Sequence, residues 1–230
     1  MKVVIAEKPS VARDIAKHLG ATERGNGWIE GNGWSVTWAC GHLVELQEPE
    51  EYRADWKPWR LSNLPIIPEN FQLRARIDGS ANQQLATIKR LFEEAEEIVC
   101  ATDAGREGEL IFRYILTWSG CEQKPIKRLW ISSLTNEAIE KGFAKLQPGS
   151  DFDHLYHAAR CRSEADWIVG LNSTRFFTVE YGRRNLLLSL GRVQTPILAM
   201  IVGRDLEVER FVPEDFWEIH THCRDALFKH

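Results

Sequence analysis

Two apolar runs, far apart in the chain, each end in acidic residues where a helix should begin. Val3, Val4 and Ile5 lead to Glu7, and Ile98, Val99, Cys100 and Ala101 lead to Asp103 and Glu107. Parallel strands of an α/β sheet place such residues at their carboxyl ends, which is where sites form. If the two strands are neighbours, Glu7, Asp103 and Glu107 share a short arc. Three carboxylates at that spacing repel unless they are protonated or bridged by a cation. Oxygen ligands of this kind suit Mg²⁺, which commonly works beside a phosphate. The simplest chemistry they predict is metal-assisted handling of phosphodiesters.

Each residue also has a plainer reading. Glu7, between strand and helix, serves either as a general acid or base, as a metal ligand, or only as a helix-capping acid. Lys8 offers a flexible point charge to a phosphate oxygen, or is an ordinary surface lysine. Asp103 and Glu107 are four apart and share a helix face if the helix has already begun. Glu109 either supplies a further oxygen or is a solvated helix acid. Arg106 is a positioning cation or one half of a salt bridge. His42, in Gly41-His42-Leu43, is a lone histidine of the kind that is usually structural. Trp28, Trp34, Trp38, Trp56 and Trp59 offer stacking surfaces for bases, although such residues more often fill a core or the underside of a loop.

The elements that must position these residues follow from the pattern. Residues 2–6 predict a buried strand. Ser10 to Leu19 predicts a helix with Val11, Ile15 and Leu19 on one face and Gly20 as its stop. Trp28-Ile29 and Trp34 to Trp38 flank Gly31-Asn32-Gly33, a hairpin signal. Residues 42–78, rich in proline, tryptophan and charge, predict a long irregular excursion, and such a loop is usually functional. Asp78 or Ser80 caps a helix to about Ala95. A strand over 98–102, a helix over 106–118 and a short strand over Lys127 to Ile131 complete the alternation. Thr135 opens a further helix with capping residues. Pro148-Gly149-Ser150 marks the boundary between a first domain, 1–149, and a second, 150–230. Beyond it, residues 151–180 and Arg192 to about Glu209 predict long helices, and Phe216 to His222 a strand.

Composition narrows the class. With 230 residues, 43% hydrophobic and 27% charged, the chain is an ordinary globular sequence of one large or two small domains. No apolar run is long enough to span a bilayer, and no secretory signal is visible, so a cytoplasmic protein without a membrane is expected. The five cysteines form no C-x-x-C pair, which argues against a zinc ribbon or a disulfide framework. A net charge of −4 counts mildly against nucleic acid as a partner. Its distribution counts the other way: between His154 and Arg204 seven arginines face only Glu164, Asp166 and Glu180. Arginine suits bidentate phosphate contacts.

Several segments together carry a family resemblance. Glu7-Lys8-Pro9-Ser10 and Asp103-x-x-x-Glu107-Gly108-Glu109 resemble the TOPRIM domain of type IA DNA topoisomerases. Lys127 to Ser133, Ala165 to Arg175 and Leu190-Gly-Arg-Val-Gln-Thr-Pro196 follow in the order and spacing of the bacterial III-like branch. The last run is the most specific, because primases and some nucleases share TOPRIM alone. The resemblance implies an α/β fold: a Rossmann-like parallel sheet with flanking helices, followed by part of a mostly helical topoisomerase domain. It implies a parent enzyme that cuts one DNA strand through a 5′-phosphotyrosyl intermediate, passes another segment and reseals without ATP. Glu7 and Lys8 would then be catalytic, and Glu7, Asp103 and Glu107 would hold Mg²⁺. Arg106, Arg160, Arg162, Asp166, Arg175, Arg192, Gln194 and Thr195 would line the path of single-stranded DNA. A helicase or a single-strand-binding protein is the implied partner. Two departures matter. Many relatives carry an acid where this chain has Gly105, which leaves the number of metals open; a tight turn with N–H groups facing a phosphate would be the gain. The family's tyrosine lies in a Tyr-Pro-Arg-like motif, whereas Tyr52, Tyr114, Tyr156 and Tyr181 are followed by Arg, Ile, His and Gly. The chain is therefore expected to be an inactive piece of a larger enzyme. Other readings are a metal-dependent TOPRIM nuclease or primase-type enzyme, and a non-catalytic DNA-binding module.

Overall fold

The structure, a computed structural model, describes residues 1–76, 79–183 and 186–229. The chain order is β1 (Lys2–Ala6), α1 (Pro9–Leu19), β2 (Glu23–Arg24), β3 (Trp28–Gly31), β4 (Trp34–Trp38), β5 (Val44–Leu46), α2 (Pro49–Tyr52), β6 (Leu73–Ala75), α3 (Gly79–Glu94), β7 (Glu97–Ala101), α4 (Arg106–Ser119), β8 (Ile126–Arg128), α5 (Asn136–Phe143), β9 (Gln147–Pro148), α6 (Asp153–Tyr181), α7 (Gln194–Glu209), β10 (His220–Cys223) and β11 (Ala226–Lys229). The chain forms two compact units, Met1–Ser189 and Leu190–His230.

In the first unit a mixed sheet runs β2-β3-β4-β1-β7-β8-β9. Its centre, β4-β1-β7-β8, is parallel, and the outer pairs are antiparallel. The two acid-bearing strands are direct neighbours, with Ile5 opposite Cys100 and Ala6 opposite Ala101. Period-two alternation divides their side chains between two cores. Val3, Ile5, Ile98 and Cys100 pack with Leu85, Ile88, Phe92, Ile111, Phe112 and Ile115 of α3 and α4. Val4, Ala6, Val99 and Ala101 pack with Val11, Ala12, Ile15 and Ala16 of α1. Both faces are covered, so the strands are continuously apolar, as parallel sheets require.

Local signals explain the boundaries. Gly20 and Gly120 take left-handed conformations that end α1 and α4 with backbone caps. Thr135 accepts a hydrogen bond from the Ala138 N–H and opens α5. Asn32 and Gly33 both have positive φ, as the two-residue β3–β4 turn demands. The proposed caps Asp78 and the Ser80 side chain lie outside the described residues.

The structure corrects three expectations. Residues 42–76 are not irregular throughout: β5 and β6 pair antiparallel at their base, and α2 and two 3₁₀ turns, Ala54–Trp56 and Leu61–Asn63, lie between. Arg74 binds Glu45, Glu48 and Glu51 at 2.7–3.0 Å and so draws the acidic approach into that base. The strand expected over 127–131 ends at Arg128, whose side chain turns into the interior instead of alternating outward. The strand expected over 216–222 begins only at His220.

Among the described residues, Arg128 is the largest fully buried side chain of the unit. Its Nε donates to Glu109 at 3.1 Å, its Nη1 to the carbonyls of Cys100, Thr102 and Leu129, and its Nη2 to the carbonyl of Asp103. Glu109, 1% exposed, also accepts from Arg113 at 2.8 Å. Arg113 in turn donates to the Gly149 carbonyl and to Asp153. This chain of charges ties β7, β8, α4 and the start of α6 together. Removing Arg128 leaves Glu109 with Arg113 alone and takes a donor from several buried carbonyls, at a cost of about 3–5 kcal/mol. Arg128→Met is therefore expected to destabilise the protein by about that amount, measured as a shift of the urea midpoint.

Candidate functional site

The carboxyl ends of β1 and β7 bring three acids to one edge of the sheet. The Glu7 side chain accepts a hydrogen bond from the Asp103 N–H at 3.3 Å. Lys8 Nζ donates to the Asp103 carboxylate, also at 3.3 Å. One helical turn further on, Glu107 accepts from His42 Nε2 at 2.6 Å. His42 reaches it because Cys40 and Gly41 both have positive φ, turning the chain sharply after β4. His42 therefore belongs to the acidic site rather than to the core. Asp103, Arg106 and Glu107 are exposed, and among the described residues Arg106 has no carboxylate within ion-pairing distance. It is thus a free cation beside the acids. Among the described residues no three acids, histidines or cysteines lie close enough to hold an ion as the side chains stand. Lys8 and His42 occupy the two carboxylates instead.

Below the acids, a turn of close backbone packing fixes where they point. Thr102 Oγ1 donates to the Gly108 carbonyl at 2.8 Å. A Cβ on Gly108 would lie 2.2 Å from the Asp103 carbonyl oxygen, so only glycine lets α4 start this close to β7. The Arg128 bonds to Thr102 and Asp103 brace the same turn. Glu109 is neither a further metal oxygen nor a solvated acid: it is buried between Arg113 and Arg128. Gly105 is not the glycine that the turn needs. Its φ of 176° is extended backbone open to any residue, and a Cβ there would meet nothing within 4 Å. An acid at 105 has room. Sequence reasoning missed Arg128 and Gly108; a basic pair, Lys127-Arg128, in a short strand beside β7 was the available signal.

The arginines of α6 divide into two groups. Arg160 pairs with Glu164 at 3.2 Å and Arg162 with Asp166 at 4.0 Å, each pair half exposed. Surface pairs of this type contribute little and leave both cations accessible. Arg175 does not belong with them. It is 4% exposed, its Nη1 donates to the Trp56 carbonyl, and its guanidinium packs on the Trp59 ring. Burial pushes its pKa down, with the more distant Glu50 and Glu48 opposing. Arg175 therefore acts inside the fold and is not on an open strand path. Trp167 and Asn172 are also anchors. Trp167 Nε1 donates to the Gln47 carbonyl, and Asn172 bonds both the N–H and the carbonyl of Ile66. Trp28, Trp34 and Trp38 pack against the cores.

Arg192, Gln194 and Thr195 lie in the second unit, at the opening of α7. There Thr195 Oγ1 accepts from the Gly191 N–H at 3.0 Å, closing the turn before the helix. Burial raises the pKa of Tyr52, Tyr114 and Tyr156.

The comparisons with known proteins agree with this geometry. A family model described as the Toprim domain matches residues 2–134, and the chain belongs to that family. A second model, described as DNA topoisomerase, matches residues 150–229. The chain is similar to the protein named DNA topoisomerase 3 of Staphylococcus saprophyticus, at 47% identity over 98% of the chain and 31% of that protein. It is 48% identical to the DNA topoisomerase 3 of Bacillus subtilis over 95% of the chain and 30% of that protein. It thus spans about a third of the length of these relatives. Full-length topoisomerase I of Thermotoga maritima shares the fold, with a TM-score of 0.61 and 22% identity over 95% of this chain and 32% of that one.

The two glycines of the turn give opposite expectations. Gly108→Ala should destabilise by about 1–3 kcal/mol through overpacking. Gly105→Ala should be neutral or stabilising by up to about 1 kcal/mol. Urea unfolding of both variants checks the pair, and equal losses would contradict the assignment of the close approach to Gly108.

Proposed function

We propose that this chain supplies the Toprim and adjoining helical parts of a type IA, III-like DNA topoisomerase. The parent enzyme, on this reading, cuts one DNA strand, passes another through the gap and reseals it without ATP. The observation that carries the reading is the set Glu7, Asp103 and Glu107 at the joined ends of β1 and β7, beside Lys8 and the free Arg106. The division into domains 1–149 and 150–230 is part of the same reading, supported by the gap between the two family matches.

The donor set fits a hard divalent cation such as Mg²⁺, since all three groups are carboxylates and two are exposed. Asp103 and Glu107, with Glu7 beside them, would hold it. When bound, the ion supplies charge stabilisation to a neighbouring phosphate. The other steps belong to the chain. Glu7, held by the Asp103 N–H, would exchange a proton with an oxygen at the scissile phosphate. Lys8 leaves Asp103 and neutralises a phosphate oxygen. Arg106, with no carboxylate at ion-pairing distance among the described residues, would take the same task. Arg160 and Arg162 carry the strand along α6, and Arg192, Gln194 and Thr195 contact phosphate at the start of α7. Asp166 holds Arg162 in position. The substrate is DNA with single-stranded segments, in the cytoplasm, with a helicase or a single-strand-binding protein as the fitting partner. No helix is long and apolar enough to cross a membrane among the described residues.

Calorimetry with Mn²⁺ or Mg²⁺ tests the site. The unmodified chain should bind weakly, Asp103→Asn should abolish the heat, and Gly105→Asp, adding a carboxylate in open space, should tighten binding. Unchanged binding in Asp103→Asn would place the ion elsewhere. Metal-dependent cutting of DNA by the purified chain, with no covalent adduct, would favour the nuclease reading instead.

A further inference from the structure

The loop between α2 and β6 carries a run that the acidic site does not use: Arg53-Ala-Asp-Trp-Lys-Pro-Trp-Arg60. Three cations and two tryptophans stand in eight residues, against the single acid Asp55. That acid is already committed, since Arg53 binds it at 2.6 Å. The acids just upstream are committed too, because Arg74 holds Glu45, Glu48 and Glu51; only Glu50 remains. Lys57 and Arg60 are exposed and, among the described residues, have no carboxylate within ion-pairing distance.

Trp59 is 41% exposed. One face of its ring rests on the Arg175 guanidinium, 5.3 Å from the ring centroid. Arg175 is almost wholly buried, has no carboxylate within ion-pairing distance among the described residues, only the more distant Glu50 and Glu48, and its Nε makes no hydrogen bond. A buried cation whose counter-charges are distant is unfavourable, and an anion closer to it relieves the cost. The loop is also held in place before any ligand arrives. Asn63 Nδ2 donates to the carbonyls of Asp55 and Pro58, at 2.8 and 3.1 Å. Asn172 pins Ile66 through both of its backbone groups, and Arg175 itself holds the Trp56 carbonyl. A loop ordered in advance loses little entropy on binding.

We propose that Trp59, Lys57 and Arg60, backed by Arg175, form a second contact platform for single-stranded nucleic acid, distinct from the acidic edge. The proposal rests on the DNA reading above. Every base has a π-face, so the open side of Trp59 accepts a base without regard to sequence, while Lys57 and Arg60 meet the adjoining phosphates. A loop whose regular structure is two single 3₁₀ turns offers no long helix or ribbon to enter a duplex groove, which favours a single strand.

The test is fluorescence anisotropy of a labelled oligothymidylate with the whole chain at several salt concentrations. Trp59→Ala should weaken binding roughly ten-fold and leave the salt slope unchanged, because stacking involves no counterion release. Trp59→Phe should restore most of the loss. Lys57→Gln with Arg60→Gln, both exposed and safe for folding, should make the slope shallower by about 1.4 for two phosphates on a single strand. If all these variants match the unmodified chain while Arg162→Gln weakens binding, the platform is wrong and the DNA reading stands. Absence of binding by the unmodified chain would overturn both. Equal, Trp59-dependent binding of polyglutamate would overturn the platform as a nucleic-acid site and assign it to acidic polypeptides.

Discussion

Arg128 carries a full charge into the interior of the sheet and distributes it over one carboxylate and four carbonyls. Three of those carbonyls, of Cys100, Thr102 and Asp103, belong to the end of β7 and the turn that follows. The Cys100 carbonyl already accepts from the Leu129 N–H at 2.9 Å, while those of Thr102 and Asp103 lie where the strand bends into the turn, and buried carbonyls need donors. One planar guanidinium with five N–H groups satisfies them at once. The position of Asp103, and through Gly108 the start of α4 and the position of Glu107, depends on this one side chain. Arg113 extends the same network to Gly149 and Asp153, so the helical segment that follows the sheet is registered against the site by the same charges.

The second constraint is the attachment of the loop between β5 and β6 to α6. Trp167, Asn172 and Arg175 are spaced so that they face this loop, and each binds a backbone group within it. These three residues sit in the segment that resembles a topoisomerase helix. Of the three, Arg175 was expected to contact DNA, yet the geometry of all three is that of clamps. Arg160 and Arg162 remain on the exposed side, with short local partners. One helix thus serves two purposes: an inner face that orders a loop and an outer face that carries cations.

Much of this was legible in the sequence. Parallel strands ending in Glu7 and Asp103, the stops at Gly20 and the cap at Thr135 follow from period, capping and turn chemistry that operate locally. What was hidden depends on partners distant in sequence. Glu109 looks like any acid in a helix's first turn until Arg128, nineteen positions later, is brought beneath it. Gly105 and Gly108 are indistinguishable as letters; only the approach of the Asp103 carbonyl separates the glycine that is required from the one that is not. His42 gave a weak signal because its reach to Glu107 depends on two left-handed residues before it. Arg175 misled for the same reason, since nothing in its own segment announces Trp56 and Trp59.

The central claim is that the acids at the joined ends of β1 and β7 form a divalent-cation site on a turn braced by Arg128. Anomalous diffraction from crystals of the chain soaked in Mn²⁺ tests it most directly. The account predicts a peak coordinated by Asp103 and Glu107 beside Glu7, with Lys8 and His42 displaced and the Arg128–Glu109 pair unchanged. A Mn²⁺ peak elsewhere, with Lys8 still on Asp103 and His42 still on Glu107, would contradict it.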